Sequence, residues 1–271
     1  MKSTKTYIPQ TGIEYPADPF TSTVAASVET RQIAFDETYP YHDDSFDYKW
    51  NTFLCYAGLW TVGFLLNRIK YGLKIEGRKN FTGNRKLFRE KGGISICNHV
   101  YRWDAVSILD VLRFRSMKLP VLNQHLLGKD YWFIRSIGGI ALPDDIGGLK
   151  KFNEAMDRYA AEGRWIHVFP EARRWEFYAP IRPFKIGAFN MAWKYDRPIL
   201  PLAISYRERK GIYKYLGKKS DPLITIHVGT PVIPDKTISR KEDTNRMRGE
   251  AHAQMVKMAG IENNPWPAAI D

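Results

Sequence analysis

The sequence predicts an α/β fold in which a mixed, largely parallel β-sheet is flanked by helices. Short apolar runs typical of buried strands recur along the chain, and stretches with the helical spacing of apolar residues separate them. The chain has 271 residues, of which 44% are hydrophobic, so one large domain can bury a substantial core. Alternating strands and helices place the helices on the faces of the sheet.

The first 48 residues differ in composition from the rest of the chain. They are polar, rich in Thr, Asp, Tyr and Pro, and show no sustained hydrophobic period. Residues 1–49 carry four basic and eight acidic side chains, a net charge of −4. Because the whole chain has a formal net charge of +12, residues 50–271 carry a net charge of +16. We therefore predict an irregular, partly ordered N-terminal arm over 1–48, without a cleavable signal.

Residues 49–70 contain the longest uncharged apolar stretch, Thr52 to Leu66. At about 1.5 Å per residue it is too short to cross a hydrocarbon core about 30 Å thick. Aromatic residues recur at three- and four-residue steps, which lays them along one helical face, and basic residues follow: Trp50, Phe53, Tyr56, Trp60 and Phe64, then Arg68, Lys70 and Lys74. We predict an apolar, membrane-associated helix that enters one leaflet, with a buried core helix as the alternative.

The main domain is predicted over residues 71–271. Its apolar runs indicate strands at 94–97, 119–122, 165–169, 199–204 and 223–228. Helical spacing is found at 105–112, after Gly148 as far as Tyr159, at 185–195 and at 240–258.

The net charge and the cysteine content limit the functions that this chain can have. A body of charge +16 attracts anionic lipid surfaces, nucleic acid or phosphorylated substrates, although a merely soluble basic surface is the alternative. Cys55 and Cys97 are the only cysteines, which excludes a disulfide framework and favours a reducing compartment. Cys97 ends an apolar run, so we expect a buried strand residue rather than a thiol nucleophile.

A histidine with a nearby carboxylate follows the first of these strands, in Asn98-His99-Val100-Tyr101-Arg102-Trp103-Asp104. A strand that ends at Cys97 delivers His99 to the carboxyl edge of the sheet, where open α/β sheets bind their ligands. Asp104 can then hold one imidazole nitrogen and leave the other to accept a proton from a hydroxyl. Alone the pair is weak evidence, since a chain with six histidines meets this spacing by chance.

A second sequence block, at residues 169–174, strengthens the prediction that His99 and Asp104 form a catalytic pair. Phe169-Pro170-Glu171-Ala172-Arg173-Arg174 is followed by Phe184-Lys185-Ile186-Gly187-Ala188 and by the apolar strand Leu200-Pro201-Leu202-Ala203-Ile204. With the histidine block, these segments make four ordered blocks that resemble those of the glycerolipid acyltransferase family, over roughly residues 70 to 235. The resemblance implies an enzyme that moves a fatty acyl group from acyl-CoA or acyl-carrier protein to the hydroxyl of a lysophospholipid such as 1-acylglycerol-3-phosphate.

The resemblance also implies residue roles. His99 is the expected general base and Asp104 its orienter. Glu171 and Arg174, with Arg173, are expected to bind the acceptor, and Pro201 to lie in the acyl-donor region. The supporting motif residues are Asn98, Phe169, Pro170, Lys185 and Gly187. No metal and no cofactor besides the acyl co-substrate is expected. The expected partners are an anionic membrane surface on the cytoplasmic side, the lysophospholipid and the acyl donor, including acyl-carrier protein, but no nucleic acid.

The sequence departs from the family pattern in two places. Ala172 stands where the family commonly has glycine, and because alanine tolerates positive φ poorly we expect a different turn after Glu171. The family's second block usually ends in an arginine, but residues 138–145 carry carboxylates here, and Arg135 just upstream is the candidate to compensate. The acceptor headgroup therefore stays open.

A rival from another class is a non-catalytic basic protein that binds anionic membrane or nucleic acid. Charge and tryptophan content suit both, whereas the His99/Asp104 pair suits only the enzyme. A serine hydrolase is disfavoured because Gly93-Ile94-Ser95-Ile96-Cys97 lacks the second glycine of a nucleophile elbow, and a metal hydrolase because the other histidines are scattered.

Overall fold

The computed structural model describes residues 6–24, 29–113 and 115–270. These residues form one sheet with the strands β1 (Lys74–Glu76), β2 (Ile94–Cys97), β3 (Met117–Val121), β4 (Gly139–Ala141), β5 (Trp165–Val168), β6 (Ile199–Arg207) and β7 (Leu223–Val228). The spatial order is β1-β7-β6-β2-β5-β3-β4. All neighbours are parallel except β6 and β7, which pair antiparallel from Leu202 opposite Val228 to Arg207 opposite Leu223. The mixed, largely parallel sheet is confirmed.

The helices are α1 (Phe46–Gly58), α2 (Phe64–Ile69), α3 (Arg78–Thr82), α4 (Arg85–Lys91), α5 (Asp104–Val111), α6 (Gln124–Leu127), α7 (Tyr131–Ser136), α8 (Ile146–Ala161), α9 (Gly187–Tyr195) and α10 (Arg240–Ala259). A π-helical turn, Leu59–Gly63, joins α1 to α2, and a 3₁₀ turn covers Gly211–Lys214. The sequence does not reveal β1, β4 or the helices α3, α4, α6 and α7. Each has only three to seven residues, too few for a readable period.

Two apolar layers cover the sheet. On one face α5 packs through Val106 and Leu109, together with Cys97 of β2. On the other face α8, α9 and α10 pack, together with Ile94 and Ile96. All four residues of β2 are buried, as expected for a central parallel strand covered on both sides. The carboxyl end of β2 therefore opens between the two layers.

The segment predicted over 49–70 is helical from Phe46 to Ile69, across the π-helical turn. Of the five aromatic residues in the predicted stripe, Tyr56 turns inwards, because its hydroxyl donates to the carbonyl of Ile137 at 3.4 Å and accepts from the amide of Met117. The other four are exposed: Trp50, Phe53, Trp60 and Phe64. No helix within the described residues combines the length and the apolar character needed to cross a membrane.

The predicted arm is irregular where it is described. Residues 6–24 and 29–45 contain no helix and only an isolated bridge from Glu29 to Gly128, while residues 1–5 and 25–28 lie outside the described part. Even so, the arm buries Phe35 and Tyr41 against the α8 layer. Its acidic side chains also pair with the basic body, as in Asp43 with Arg135 at 2.7 Å.

Candidate active site

The carboxyl end of β2 is tied to the neighbouring strand by a side chain. The last residue of β2 that pairs with β6 is Cys97, opposite Leu202. Beyond this pair, the side-chain amide of Asn98 replaces the backbone hydrogen bonds between the two strands. Its Oδ1 accepts from the backbone N–H of Ile204 at 2.8 Å, and its Nδ2 donates to the Ile204 carbonyl at 3.2 Å. Asn98 is fully buried, so these bonds fix the point from which the next residue, His99, leaves the sheet.

His99 and Asp104 form the hydrogen-bonded pair that their spacing predicts. His99 Nδ1 lies 2.6 Å from Asp104 Oδ2, and because an ionised carboxylate can only accept, Nδ1 carries the proton. Asp104 also accepts from the N–H groups of Val100 and Ala105, at 3.2 and 2.8 Å. It is the first residue of α5, where the helix dipole favours a negative charge. The buried carboxylate thus fixes the ring and leaves Nε2 for a substrate.

The second motif holds the histidine from the other side. The Phe169 ring stacks on the His99 ring with centroids 4.1 Å apart. The N–H of Trp175 donates to the His99 carbonyl at 3.0 Å, and the N–H of Phe177 donates to the Val100 carbonyl at 2.7 Å. The two loops are therefore interlocked through their main chains.

Glu171 has a partner that the sequence does not indicate. Its Oε2 accepts from Arg182 Nη2 at 2.9 Å and from the His99 N–H at 3.0 Å, while Oε1 accepts from the Arg182 N–H at 2.8 Å. Both side chains are fully buried. Glu171 thus anchors the loop and the backbone of His99, and both of its carboxylate oxygens are bonded within the protein. In the sequence, Arg182 stands out only by its apolar neighbours Ile181 and Pro183.

Arg174, whose Nε lies 3.2 Å from a carboxylate oxygen of Glu176, lines a cavity together with His99 and Asp104. The cavity has a volume of about 840 Å³ and crosses the carboxyl edge of the sheet. Apolar side chains from both layers form much of its wall, among them Trp103, Val106, Phe133, Phe152, Met156 and Val168. An apolar wall with convergent polar groups is typical of cavities that bind small organic molecules.

Cationic side chains outnumber carboxylates around this cavity. The lining carboxylates are Asp104 and Asp130, and the lining cations are Arg102, Lys129, Arg174, Lys185, Lys194 and Arg240. The motif residues Phe169, Pro170 and Gly187 line it as well. Such a surface favours an anionic ligand. The sequence does not predict Arg102, Lys129, Lys194 and Arg240 as lining cations, because they meet only in the folded chain, from two loops and the helices α9 and α10.

Two further histidines near His99 are held neutral. Burial, with the nearby His99, Arg174 and Arg173, lowers the pKa of His125 to about 4. Burial and the nearby His99 lower the pKa of His167 to about 3. His125 lines the cavity, whereas His167 bonds Ser95 through Nδ1 at 2.8 Å. Neither competes with His99 for a proton near neutral pH.

The remaining predicted residues lie as follows. Pro201 is buried inside β6 opposite Ile96, and Arg173 is half-buried; neither is among the described residues that line the cavity. Arg135 does not compensate for the missing arginine, since its guanidinium is bound by Asp43 and by the hydroxyl of Tyr39. Burial raises the pKa of the Cys97 thiol well above its usual range, as expected for a strand residue.

Ala172 corrects one expectation. The φ of Ala172 is +63°, so this alanine takes up the left-handed conformation that it was expected to avoid. Phe177, five residues later, also has a positive φ of +54°. The loop between β5 and Phe177 is therefore strained at two non-glycine residues. Within the described residues no group of three His, Cys, Asp or Glu side chains is arranged to hold a metal ion.

Comparison with known proteins agrees with this site. Residues 78–205 match the family model described as Acyltransferase. No curated protein sequence matches the chain. Among solved structures, the 1-acyl-sn-glycerophosphate (LPA) acyltransferase PlsC from Thermotoga maritima is similar in fold, with 18% identity and a TM-score of 0.51 over 80% of this chain and 84% of that chain. The matched segment contains the histidine pair and all the later blocks, so residues 78–205 form a domain of the Acyltransferase family, in agreement with the resemblance to the glycerolipid acyltransferases.

Proposed function

We propose that this acyltransferase moves a fatty acyl chain from acyl-CoA or acyl-carrier protein to the hydroxyl of a lysophospholipid such as 1-acylglycerol-3-phosphate. The main support for this proposal is the pair of His99 and Asp104, whose Nδ1 and Oδ2 atoms lie 2.6 Å apart. The pair lines a cavity that has apolar walls and several cationic side chains. A non-catalytic anion-binding protein would need the cations but not this base and its orienter.

The reaction needs no covalent intermediate on the protein. His99 Nε2 takes the proton of the acceptor hydroxyl as that oxygen attacks the thioester carbonyl carbon. The tetrahedral intermediate collapses to the new ester, the C–S bond breaks, and the departing thiolate takes the proton from Nε2. Asp104 stabilises the imidazolium that forms between these steps. Cys97 is too deeply buried to serve as an alternative nucleophile.

We assign the acceptor headgroup to the lining cations Arg174 and Lys185. A guanidinium binds phosphate through two hydrogen bonds, and Lys185 lies in the same lining. The similar structure is that of an enzyme for 1-acyl-sn-glycerophosphate, which supports a phosphate-bearing acceptor. Glu171 acts behind these cations by holding the loop rather than by touching the acceptor.

The exposed apolar face of the helical segment that runs from α1 through the π-helical turn to α2 is assigned to the bilayer surface. Phe53 and Trp60 each leave 61% of their surface exposed, and Trp132 of α7 adds a further exposed ring. Arg68, at the end of α2, and Lys70 follow this face with positive charge. Such a face can enter one leaflet and let lipid substrates reach the cavity on the cytoplasmic side, where the acyl donors are.

An acylation assay tests the function. The purified chain is offered a panel of lysophospholipids that differ in headgroup, with acyl-CoA and acyl-carrier protein as alternative donors. His99→Ala should lower turnover by about 10²–10⁴-fold, the usual contribution of a general base. The matched control is His227→Ala, a histidine of β7 with the same side-chain exposure, 19%, which should keep near-wild-type turnover. Equal turnover of His99→Ala and wild type would refute the assignment.

Vesicle binding tests the membrane surface. The substitutions Phe53→Glu and Trp60→Glu, singly and together, place charges directly on the exposed apolar face. Each variant should bind neutral vesicles less than wild type does, and high salt should weaken only the binding to anionic vesicles. Undiminished binding of the double variant to neutral vesicles would contradict the proposed face.

A further inference from the structure

The N-terminal arm crosses the loop that carries Arg174. The N–H and Oγ1 of Thr23 both donate to the Arg174 carbonyl oxygen, at 3.3 and 3.2 Å. The same Oγ1 accepts from the N–H of Glu176 at 3.1 Å. The hydroxyl of Tyr15 donates to the Glu176 carbonyl at 2.8 Å. Residues 15–24, which we name the strap, therefore supply hydrogen bonds on both sides of Trp175.

Buried groups continue this contact below the surface. The Nε1–H of Trp175 donates to the Thr21 carbonyl at 2.5 Å, and the Arg182 guanidinium donates to the Pro19 carbonyl. Trp175 is fully buried and stacks on the ring of Tyr15, with centroids 5.4 Å apart. The strap is thus bonded to the same Arg182 that binds Glu171, so arm, loop and anchor form one connected network.

The loop needs such support because its backbone is strained. Ala172 and Phe177 both have positive φ, and non-glycine residues hold that conformation only where their surroundings over-determine it. The strap supplies its hydrogen bonds to the segment between these two residues from more than 140 positions away in the sequence. Without the strap, the loop is free to relax and to move Arg174.

The strap also reaches the cavity directly. Val24 is one of the lining residues, and the ring of Phe20 lies 3.6 Å from Lys185 Nζ, with which it forms a cation–π contact. Lys185 lines the cavity too, and its N–H donates to the carbonyl of Pro170 at 2.8 Å. Both cations assigned to the acceptor headgroup are therefore in contact with the arm.

We propose that the strap is a positioning element of the acceptor site: it holds Arg174 and Lys185 at the cavity and thereby sets the affinity for anionic acceptors. This inference rests on the proposed function. Cations that are already in place lose less conformational entropy when they bind a phosphate, so acceptor affinity depends on the strap while donor affinity does not.

Thr23→Val in the full chain is the first test. It removes the hydroxyl that bridges Arg174 and Glu176 and keeps the shape of the side chain. The matched control is Thr38→Val, the same change in the same arm, where the hydroxyl bonds only Asp36 at 2.7 Å. We expect Thr23→Val to raise the acceptor KM by about three- to tenfold, the order of one or two lost hydrogen bonds, with the donor KM and the melting temperature near the control.

Phe20→Leu is the second test, because it removes the ring over Lys185 without introducing polarity. It should raise the acceptor KM most for phosphomonoester headgroups. A donor KM raised as much as the acceptor KM, or Thr23→Val and Phe20→Leu both equal to Thr38→Val, would overturn the proposal.

Direct binding separates this proposal from the proposed function. Lysophosphatidic acid is titrated into each variant without any acyl donor, and the tryptophan fluorescence is followed. If wild type binds this lipid but transfers no acyl group, the proposed function fails and the strap is judged by the dissociation constants alone. A larger constant for Thr23→Val than for Thr38→Val supports the strap, and equal constants, or no binding by wild type, refute it.

Discussion

The two loops that meet at the site are held in different ways. The turn from Asn98 to Asp104 closes on itself, since the carboxylate reaches the ring of His99 and two backbone N–H groups within seven residues. The loop from Phe169 to Phe177 instead takes its support from the arm and from Arg182. The imidazole of His99 is thus oriented from within its own turn, although the second loop also bonds the His99 backbone. The second loop, in contrast, takes most of its support from distant parts of the chain.

The local turn is tested most severely by Asp104→Asn. The amide can donate to Nδ1 and so stabilise the tautomer with a proton on Nε2, which cannot accept the hydroxyl proton. We expect kcat to fall by roughly 10²–10⁴-fold with little change in either KM. Asp196→Asn, an exposed partner of Lys91, is the control and should be as active as wild type. Normal turnover in Asp104→Asn would show that Asp104 does not orient the base.

The distant support is tested by Glu171→Gln. The substitution leaves the buried Arg182 guanidinium without its carboxylate, and breaking a buried pair in this way costs about 3–5 kcal/mol. The free energy of unfolding in urea should fall by about that amount. Glu154→Gln, which breaks an exposed pair with Lys151, should change it by less than about 1 kcal/mol. Similar stabilities of the two variants would mean that Glu171 is not the anchor of the loop.

Arg174→Ala separates binding from support within the same loop. It removes the charge-assisted contact that we propose between Arg174 and the acceptor, worth roughly 1.5–3 kcal/mol, so the acceptor KM should rise about tenfold or more. Initial rates at varied acceptor and varied donor give the two KM values. Arg173→Ala, whose side chain is not among the described lining residues, should have the smaller effect. A raised donor KM with an unchanged acceptor KM would exchange the two assigned sites.

The same contrast explains what the sequence can predict. His99 and Asp104 are close in sequence, and their five-residue spacing at the end of an apolar strand is enough to predict their hydrogen bond. The blocks at Phe169 and Lys185 are located by their resemblance to the family, and the family model covers them. Strands buried on both faces, such as β2, are also readable as apolar runs.

What the sequence cannot give are the partners that meet only in the folded chain. Arg182 binds Glu171 from eleven residues away, but its apolar neighbours alone do not distinguish it from a surface arginine. The strap has no apolar period because it binds through backbone carbonyls and single hydroxyls, which leave no pattern. By its position in the sequence, Arg135 is a reasonable substitute for the arginine that the family has in its second block. In the folded chain, however, its guanidinium is ion-paired with Asp43 of the arm.

Substitution of Ala172 should have the smallest effect on stability, and it directly tests whether the backbone of the loop is strained. Holding a non-glycine residue in the left-handed region lowers the free energy of unfolding by about 1–2 kcal/mol, and glycine removes this cost. Glycine also has greater freedom in the unfolded chain, which lowers the free energy of unfolding by about 0.5–1 kcal/mol. Ala172→Gly should therefore raise the free energy of unfolding by up to about 1 kcal/mol.

Ala253→Gly provides the control for Ala172→Gly, because the same change at an exposed position in the interior of α10 should lower the free energy of unfolding by about 1 kcal/mol. Urea titrations of both variants measure the two values, and opposite signs are expected. If Ala172→Gly also loses stability, the contacts of the Ala172 methyl group outweigh the backbone strain. The shape of the acceptor loop would then be set by its own side chains, and the strap would be bonded to a loop that already holds its position.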